Sequence, residues 1–180
     1  ALVVWWSLSP VKKIMLGVQA LGRGHVSARL NIQRKDEIGV LARATDQLAS
    51  DLQTHIVNGL HQISEGNIDI NARIADENDE IGPALRRMVE NLSTLVKEMN
   101  TLTESALQGK LDVRSDAKCF KGVYGDIVEG VNKTLDAVTM PIYEASNVLV
   151  QVAKKNLAVR VMGDYRGDHA KIKDALNLAL

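Results

Sequence analysis

The chain contains the segment Asp36-Glu37-Ile38-Gly39 and repeats it 43 residues later as Asp79-Glu80-Ile81-Gly82. An acidic residue at such a point accepts hydrogen bonds from the free N–H groups that open a helix, and its charge complements the helix dipole. Apolar residues recur at helical spacing after both segments. Each segment therefore predicts a helix start, and the weaker acidic segments at Asp126 and Asp168 predict two more.

A second marker advances along the chain with the first. Gly24, Gly66 and Gly109 each lie two positions before an apolar residue, and Lys155 takes the same place in a fourth, degenerate copy. Glycine just past a helix end suits the left-handed conformation that closes many helices. Since both markers recur at steps of 42 to 46 residues, we interpret the chain as four copies of one plan: helix, glycine, extended connector, acidic cap, helix.

The connectors between the two markers predict the topology. Their apolar residues alternate, as at Ile68 and Ile70, which indicates an extended chain with one packed face. A chain of this length spans about 3.3 Å per residue, enough to run back beside a four-turn helix. We therefore predict parallel helices, and the alternative is an antiparallel hairpin with a loose surface loop. The connectors cover residues 26–35, 68–78, 111–125 and 157–167.

The apolar residues of the helices follow the three- and four-residue steps of a coiled coil. One series runs from Ile38 to Leu52 with Thr45 as its polar exception, and two longer series cover residues 81–106 and 128–152 without a break. The second helix of one copy is therefore predicted to continue as the first helix of the next. From Leu52 to Ile63 the steps are four, four and three. That spacing indicates either a stutter that can rotate adjacent copies or a merely irregular helix.

The beginning of the chain resembles the end of a membrane span. Residues Ala1 to Trp6 are strongly apolar, and Lys12 and Lys13 follow, as expected on the cytoplasmic side of a bilayer. The run is too short to span by itself, and a frayed helix start in a soluble protein is the alternative. Pro10 and Pro141 each lie 14 residues before their marker, so both are assigned to the start of a first helix, with a kink expected at Pro141.

Composition excludes several classes of function. The chain has 22 basic and 22 acidic residues and a net charge of zero, which argues against a nucleic-acid partner. A single cysteine, Cys119, excludes a disulfide framework and a multi-cysteine metal site, and we interpret it as a half-buried thiol in a connector. We find no nucleophile–base pair, phosphate-cradling glycine loop or metal cluster, so we expect no enzyme activity, cofactor or small-molecule substrate.

Two parallel helices that share one apolar seam cannot enclose a core alone. A second copy of the chain completes a four-helix bundle. We therefore predict an all-α fold of parallel homodimeric four-helix-bundle modules, stacked in tandem and joined by continuous helices.

These residues resemble the HAMP domain family, whose pattern is a proline-led first helix, a glycine connector and an Asp-Glu-Ile-Gly opening of a parallel second helix. The resemblance implies the end of a transmembrane helix over residues 1–9 and four modules. The modules cover residues 10–54, 55–96, 97–140 and, incompletely, 141–180.

The segments after Asp126 and Gly167 are also similar to methyl-accepting chemotaxis receptors with several HAMP modules. That similarity implies a signal-relay segment of a bacterial transmembrane receptor on the cytoplasmic side of the inner membrane. Its partners would be a second copy of the chain, the membrane sensor and output domain of the same chain, and, indirectly, a histidine kinase. A linker of a sensor histidine kinase and a passive coiled-coil spacer are the alternatives.

The residues expected to carry structure or signalling are Pro10, Gly24, Asp36, Glu37, Ile38, Gly39, Thr45, Gly66, Asp79, Glu80, Ile81, Gly82, Gly109, Asp126, Pro141 and Asp168.

Overall fold

Helices joined by extended connectors make up the chain. The computed structural model describes residues 2–180, with side chains from Ser9 onward. All regular structure within residues 2–180 is helical, so the prediction of an all-α fold is confirmed. The helices are α1 (Leu2–Gly22), α2 (Glu37–Asp51), α3 (Asn58–Ser64), α4 (Ile81–Leu107), α5 (Val123–Ala153) and α6 (Asp168–Ala179), with a π-helical segment at Leu52–Val57 and a 3-10 turn at Ala117–Cys119.

The chain divides into two compact units, the first ending at Leu92 and the second running from Ser93 to Leu180. In the first unit, the connector after α1 runs back along α2. The N–H groups of Leu30 and Asn31 donate to the Asp46 carboxylate, and further on the Arg43 guanidinium donates to the Arg34 carbonyl. The connector therefore runs antiparallel to α2. Leu30 also lies beside Gly17 of α1, so the connector runs back along α1 as well, and α2 points in the same direction as α1.

The second connector, also in the first unit, repeats this course. Ile70 lies beside Gly59, and the Arg73 guanidinium lies 3.3 Å from Nε2 of His55, so this connector runs back along the helix that it follows. Helix α4 then begins, and its Leu85 lies beside Gly59 again. The second pair of helices is therefore parallel as well.

The third and fourth connectors run back along their second helices in the second unit. The N–H of Ser115 donates to the side chain of Asn132 at 3.2 Å, and the N–H of Val161 donates to the side chain of Asn177 at 2.8 Å. Lys173 of α6 also donates to the carbonyl of Gly163, which lies further along the fourth connector. Within residues 2–180 each of the four connectors thus reverses the direction of the chain and then returns it to a parallel helix.

The irregular spacing after Leu52 corresponds to the π-helix at Leu52–Val57. The backbone stays right-handed helical at Asp51, Leu52 and Asn58, so α2, the π-helical segment and α3 form one continuous helix. A π turn accommodates one extra residue without ending the helix. The predicted local irregularity is confirmed, and its role in signalling stays a prediction.

All four first helices end in the same way. Gly24, Gly66 and Gly109 have positive φ angles of 87°, 85° and 76°, and Lys155 adopts the same conformation with a φ of 69°. At each site, the N–H of the next residue donates to a carbonyl five residues earlier, as from His25 to Ala20 at 2.9 Å. This is the Schellman closure, and the fourth copy forms it without glycine.

Two helix starts differ from the predictions. Helix α1 already includes the residues from Leu2 onward, so Pro10 lies inside the helix rather than in its first turn; the module boundary at Pro10 stays a prediction. Helix α5 runs through Pro141 as expected and begins at Val123, inside the predicted third connector. The 3-10 turn before it shortens that connector.

Candidate functional site: connectors and uncovered helix faces

Asp36 and Asp79 cap the second helices of the first two copies. The Asp36 carboxylate accepts from the N–H of Gly39 at 3.1 Å, and that of Asp79 accepts from the N–H groups of Gly82 at 3.0 Å and Ile81 at 2.9 Å. The Arg34 guanidinium, together with the Gly39 N–H, lowers the pKa of Asp36 from 3.8 to about 2. Backbone N–H groups also lower the pKa of Asp79. Both residues therefore hold a helix start as carboxylates.

The glycines of the repeated segment allow the connector to touch the helix. A Cβ added to Gly39 would lie 2.0 Å from the carbonyl oxygen of Arg34, and one added to Gly82 would lie 2.3 Å from that of Arg73. These contacts are too close for any side chain. The glycine of Asp-Glu-Ile-Gly is thus required by packing, whereas the acidic residue is required by capping.

The predicted acidic caps of the last two copies are corrected by the structure. Helix α5 is preceded by Gly122 and α6 by Gly167, and neither helix has a side-chain cap. Asp126 is the fourth residue of α5, and Asp168 is the first residue of α6. Both acids lie in a first turn, where their charge still complements the helix dipole. Glu37 also lies in the first turn of its helix, α2, and Glu80 directly precedes α4.

Helix α2 presents one buried face and one exposed apolar face. Ala42, Ala49 and Thr45 are 0%, 1% and 7% exposed, and the Thr45 hydroxyl donates to a carbonyl of its own helix. Leu41 and Leu48 are 51% and 53% exposed. The small residues therefore pack within the chain, and the leucines of the predicted seam point away from it.

The same division recurs in the other helices. Apolar exposure of this extent is unusual on a monomeric protein and marks a surface of interaction. The exposed large apolar residues of the helices include Val11, Met15, Leu16, Val18, Val57, Leu60, Ile81, Val96, Val138, Ile142 and Leu149.

An arginine stabilises the beginning of three connectors and was not identified from the sequence. Arg29, Arg114 and Arg160 each lie five residues after the residue with positive φ. Each guanidinium donates to the carbonyls one and three residues before it, for example at 2.6 and 2.8 Å for Arg114. The constant offset from the glycine marker is the signal that could have revealed them.

A second set of missed residues fastens the connectors to the second helices. Asp46, Asn132 and Asn177 each lie ten residues after the cap position. The Asn132 side chain accepts from the Ser115 N–H and donates to its carbonyl at 2.7 Å. Asn177 pairs in the same way with Val161. The amide side chain thus pairs with both the N–H and the carbonyl of one connector residue, as a neighbouring strand does in a β-sheet.

Glu144 of α5 adds a further attachment in the fourth copy. Its carboxylate accepts from the N–H groups of Met162 at 2.6 Å and Gly163 at 3.1 Å and from the Tyr165 hydroxyl. The hydroxyl, followed by the Met162 N–H, lowers the pKa of Glu144. This connector is therefore tied to the first helix of its copy as well as to the second.

The remaining polar groups were compared with the requirements of a metal site. Among the described residues, no three His, Cys, Asp or Glu side chains are grouped so that they could hold a metal ion. Cys119 is exposed, which corrects the predicted half-buried thiol, and the nearby Asp116 carboxylate raises its pKa. A cleft of about 190 Å³ lies between the π-helical segment and the start of α4, where Leu52, Ile56 and Ile81 line it. The connector residues Arg73 and Ala75 also line this cleft.

Each pair of parallel helices is joined by an extended connector that is hydrogen-bonded to the helices. This arrangement is typical of a helical linker. Two segments of the chain, residues 2–54 and 119–180, match family models described as HAMP domain. The chain thus carries HAMP domains in tandem, and HAMP domains are signal-relay linkers of signalling proteins, not catalytic domains. The comparisons with curated proteins and with solved structures gave no match.

The predicted end of a transmembrane helix, residues 1–9, lies mostly outside the side chains described, and Ala1 lies outside the described residues altogether. Among the residues described, no helix combines the length and apolarity needed to cross a bilayer.

Proposed function

We propose that the chain is the relay segment of a bacterial transmembrane chemoreceptor, in which a stimulus from the membrane side changes the packing of parallel helices. The change would pass to an output domain of the same chain and, through it, to a histidine kinase. The supporting observation is that each connector runs back beside its helices and leaves a parallel pair with an uncovered apolar face. Similarity of the segments after Asp126 and Gly167 to chemotaxis receptors favours this class over a kinase linker.

The proposed working unit is a parallel homodimer. Leu41 and Leu48 lie on one exposed stripe of α2, and Met15 and Val18 are about half exposed on α1. Burial of such side chains stabilises an association by about 25 cal/mol per Å² of apolar surface. A second copy of the chain brings an identical pair of stripes and closes a four-helix bundle.

We further propose four modules in this relay, over residues 10–54, 55–96, 97–140 and 141–180, on the cytoplasmic side of the inner membrane. Helices α4 and α5 each supply the second helix of one module and the first helix of the next. A rotation or shift of one helix pair would then change the next pair directly. Such a relay needs two packings that differ by only a few kcal/mol.

Disulfide cross-linking tests the parallel dimer. A Leu48→Cys variant, with Cys119→Ser to remove the native thiol, is expected to form a disulfide between two chains under mild oxidation. The matched control is Arg43→Cys, an exposed residue of the same helix that lies about 140° away around its axis. Equal cross-linking of both variants, or a compact monomer by light scattering, would contradict the dimer.

Substitutions of Thr45 separate a relay from a passive spacer. Thr45→Val keeps the shape of the side chain and removes its hydroxyl, whereas Thr45→Leu enlarges a position that is 7% exposed. A relay is expected to shift its resting output in the full-length receptor with Thr45→Leu and to change little with Thr45→Val. A spacer would change its melting temperature but not its output.

A further inference from the structure

The positive charge of the chain is concentrated near its beginning. The first 35 residues contain six basic residues and no acidic one, whereas the whole chain has 22 of each. The rest of the chain is therefore net negative. The six basic residues are Lys12, Lys13, Arg23, Arg29, Arg34 and Lys35.

The course of the first connector brings three of these residues to one end of the first helix pair. Leu30 packs against Gly17 of α1 and bonds to Asp46 of α2, so these two helix positions lie at a similar level. Helix α2 begins nine residues before Asp46, about 13 Å back along its axis. Lys35 therefore returns to the end of the pair where Lys12 and Lys13 lie, five and four residues before Gly17.

These three lysines are available to a partner. Their side chains are exposed, and no ion pair involves them within residues 9–180, where side chains are described. The arginines differ, because Arg34 pairs with Asp36 and Arg29 bonds to connector carbonyls and to Gln53. The lysines thus form a surface, here called the lysine end. Asp36 and Glu37 follow Lys35 directly in the sequence, and the Asp36 carboxylate is paired with Arg34.

We propose that the lysine end binds the anionic headgroups of a phospholipid bilayer. The proposal rests on the membrane-proximal relay function proposed above. An apolar run with two tryptophans, Ala1 to Trp6, ends six residues before Lys12. Tryptophan next to basic residues is typical of the interface of a bilayer, and lysines beside such a segment are attracted to an anionic leaflet. Nucleic acid fits less well, because the chain as a whole is neutral and its basic residues do not continue as a stripe.

Binding to vesicles tests this proposal with the full chain. The probes are vesicles of phosphatidylcholine alone and of phosphatidylcholine mixed with phosphatidylglycerol. We expect about a hundredfold tighter binding to the mixed vesicles at low ionic strength, with the preference falling as salt screens the charges. Replacing the three lysines of the lysine end by Gln should abolish the preference, and replacing them by Arg should retain it.

A second triple variant serves as the control. It removes the same charge from exposed lysines elsewhere, at Lys97, Lys118 and Lys121, and should keep the preference for mixed vesicles. If it loses the preference as fully as the Gln variant, or if the Gln variant binds like the unmodified chain, the lysine end is not a lipid site. Cross-linking at Leu48 is independent of this result, so a failed lipid preference with an intact dimer leaves the proposed relay standing.

Discussion

The carbonyl oxygen of Arg34 lies so close to Gly39 that a Cβ on the glycine would come within 2.0 Å of it. The connector backbone thus passes directly over the first turn of α2. The acidic cap and the glycine three residues later belong to one arrangement. Asp36 caps the N–H of Gly39, and the connector packs against the same glycine.

Gly39→Ala is expected to destabilise the chain because the added methyl group collides with backbone that cannot move freely. Overpacking of this kind costs about 1–3 kcal/mol. The control is Gly130→Ala in α5, where nothing lies near the added Cβ. That substitution should stabilise the helix by about 0.5–1 kcal/mol. Denaturation followed by circular dichroism, at one fixed protein concentration, measures both, and equal effects of the two variants would contradict the close contact.

Lys155→Gly is expected to stabilise the chain. Lys155 has a φ of 69°, and a left-handed conformation costs a residue with a Cβ about 1–2 kcal/mol. Part of that gain is lost to the greater freedom of glycine in the unfolded state, so the expected increase in unfolding free energy is about 1 kcal/mol. Gly109→Ala, at the same point of the third copy, should lower it by a similar amount. A loss of stability with Lys155→Gly would show that another contact of the lysine outweighs the strain.

The stability contributed by Asp36 should depend on pH. Its pKa is about 2 in the folded chain, against an ordinary value of 3.8. A lowered folded-state pKa means that the contribution is complete above about pH 5 and is lost as the pH falls through 4 toward 2. The difference in unfolding free energy between the native chain and Asp36→Asn should therefore shrink over that range. A difference that stays constant as the pH falls through this range would contradict the lowered pKa of Asp36.

Asn132→Ala should destabilise the third copy because it leaves the backbone of Ser115 without partners. Ser115 is 7% exposed, and a buried group that loses its hydrogen bond costs about 1–3 kcal/mol. Asn100→Ala, on an exposed position of α4, is the matched control and should be neutral or slightly stabilising. Chemical denaturation compares the two, and a neutral Asn132→Ala would mean that water replaces the amide at no cost.

The sequence predicted the features that depend on local chemistry. Asp36 and Asp79 indicated helix starts because a carboxylate before a helix accepts hydrogen bonds from its free N–H groups. Gly24 indicated a helix end because the left-handed backbone conformation that closes a helix is costly for other residues. The prediction failed at α5. Gly122 precedes that helix and has no side chain to mark its start, and Asp126, which lies inside the first turn, was interpreted as the cap.

Contacts between distant segments could not be predicted with the same reasoning. Asn132 looks like an ordinary surface residue until the connector is placed beside it, and Arg114 gives no sign of its ion pair with Asp136 of α5. The exposed stripe at Leu41 and Leu48 was predicted as a seam, yet the sequence did not show that Ala42 and Ala49 would be the residues packed within the chain. Such assignments depend on the angle at which two helices meet.

The attachments of the connectors imply that the four copies differ in stiffness. In the first and third copies, the bonds through Asp46 and Asn132 join the connector to the second helix. The fourth copy adds Glu144, which joins its connector to the first helix as well. A displacement of the first helix there acts on the connector through these hydrogen bonds, whereas in the first copy the two meet through the packing of Leu30 against Gly17.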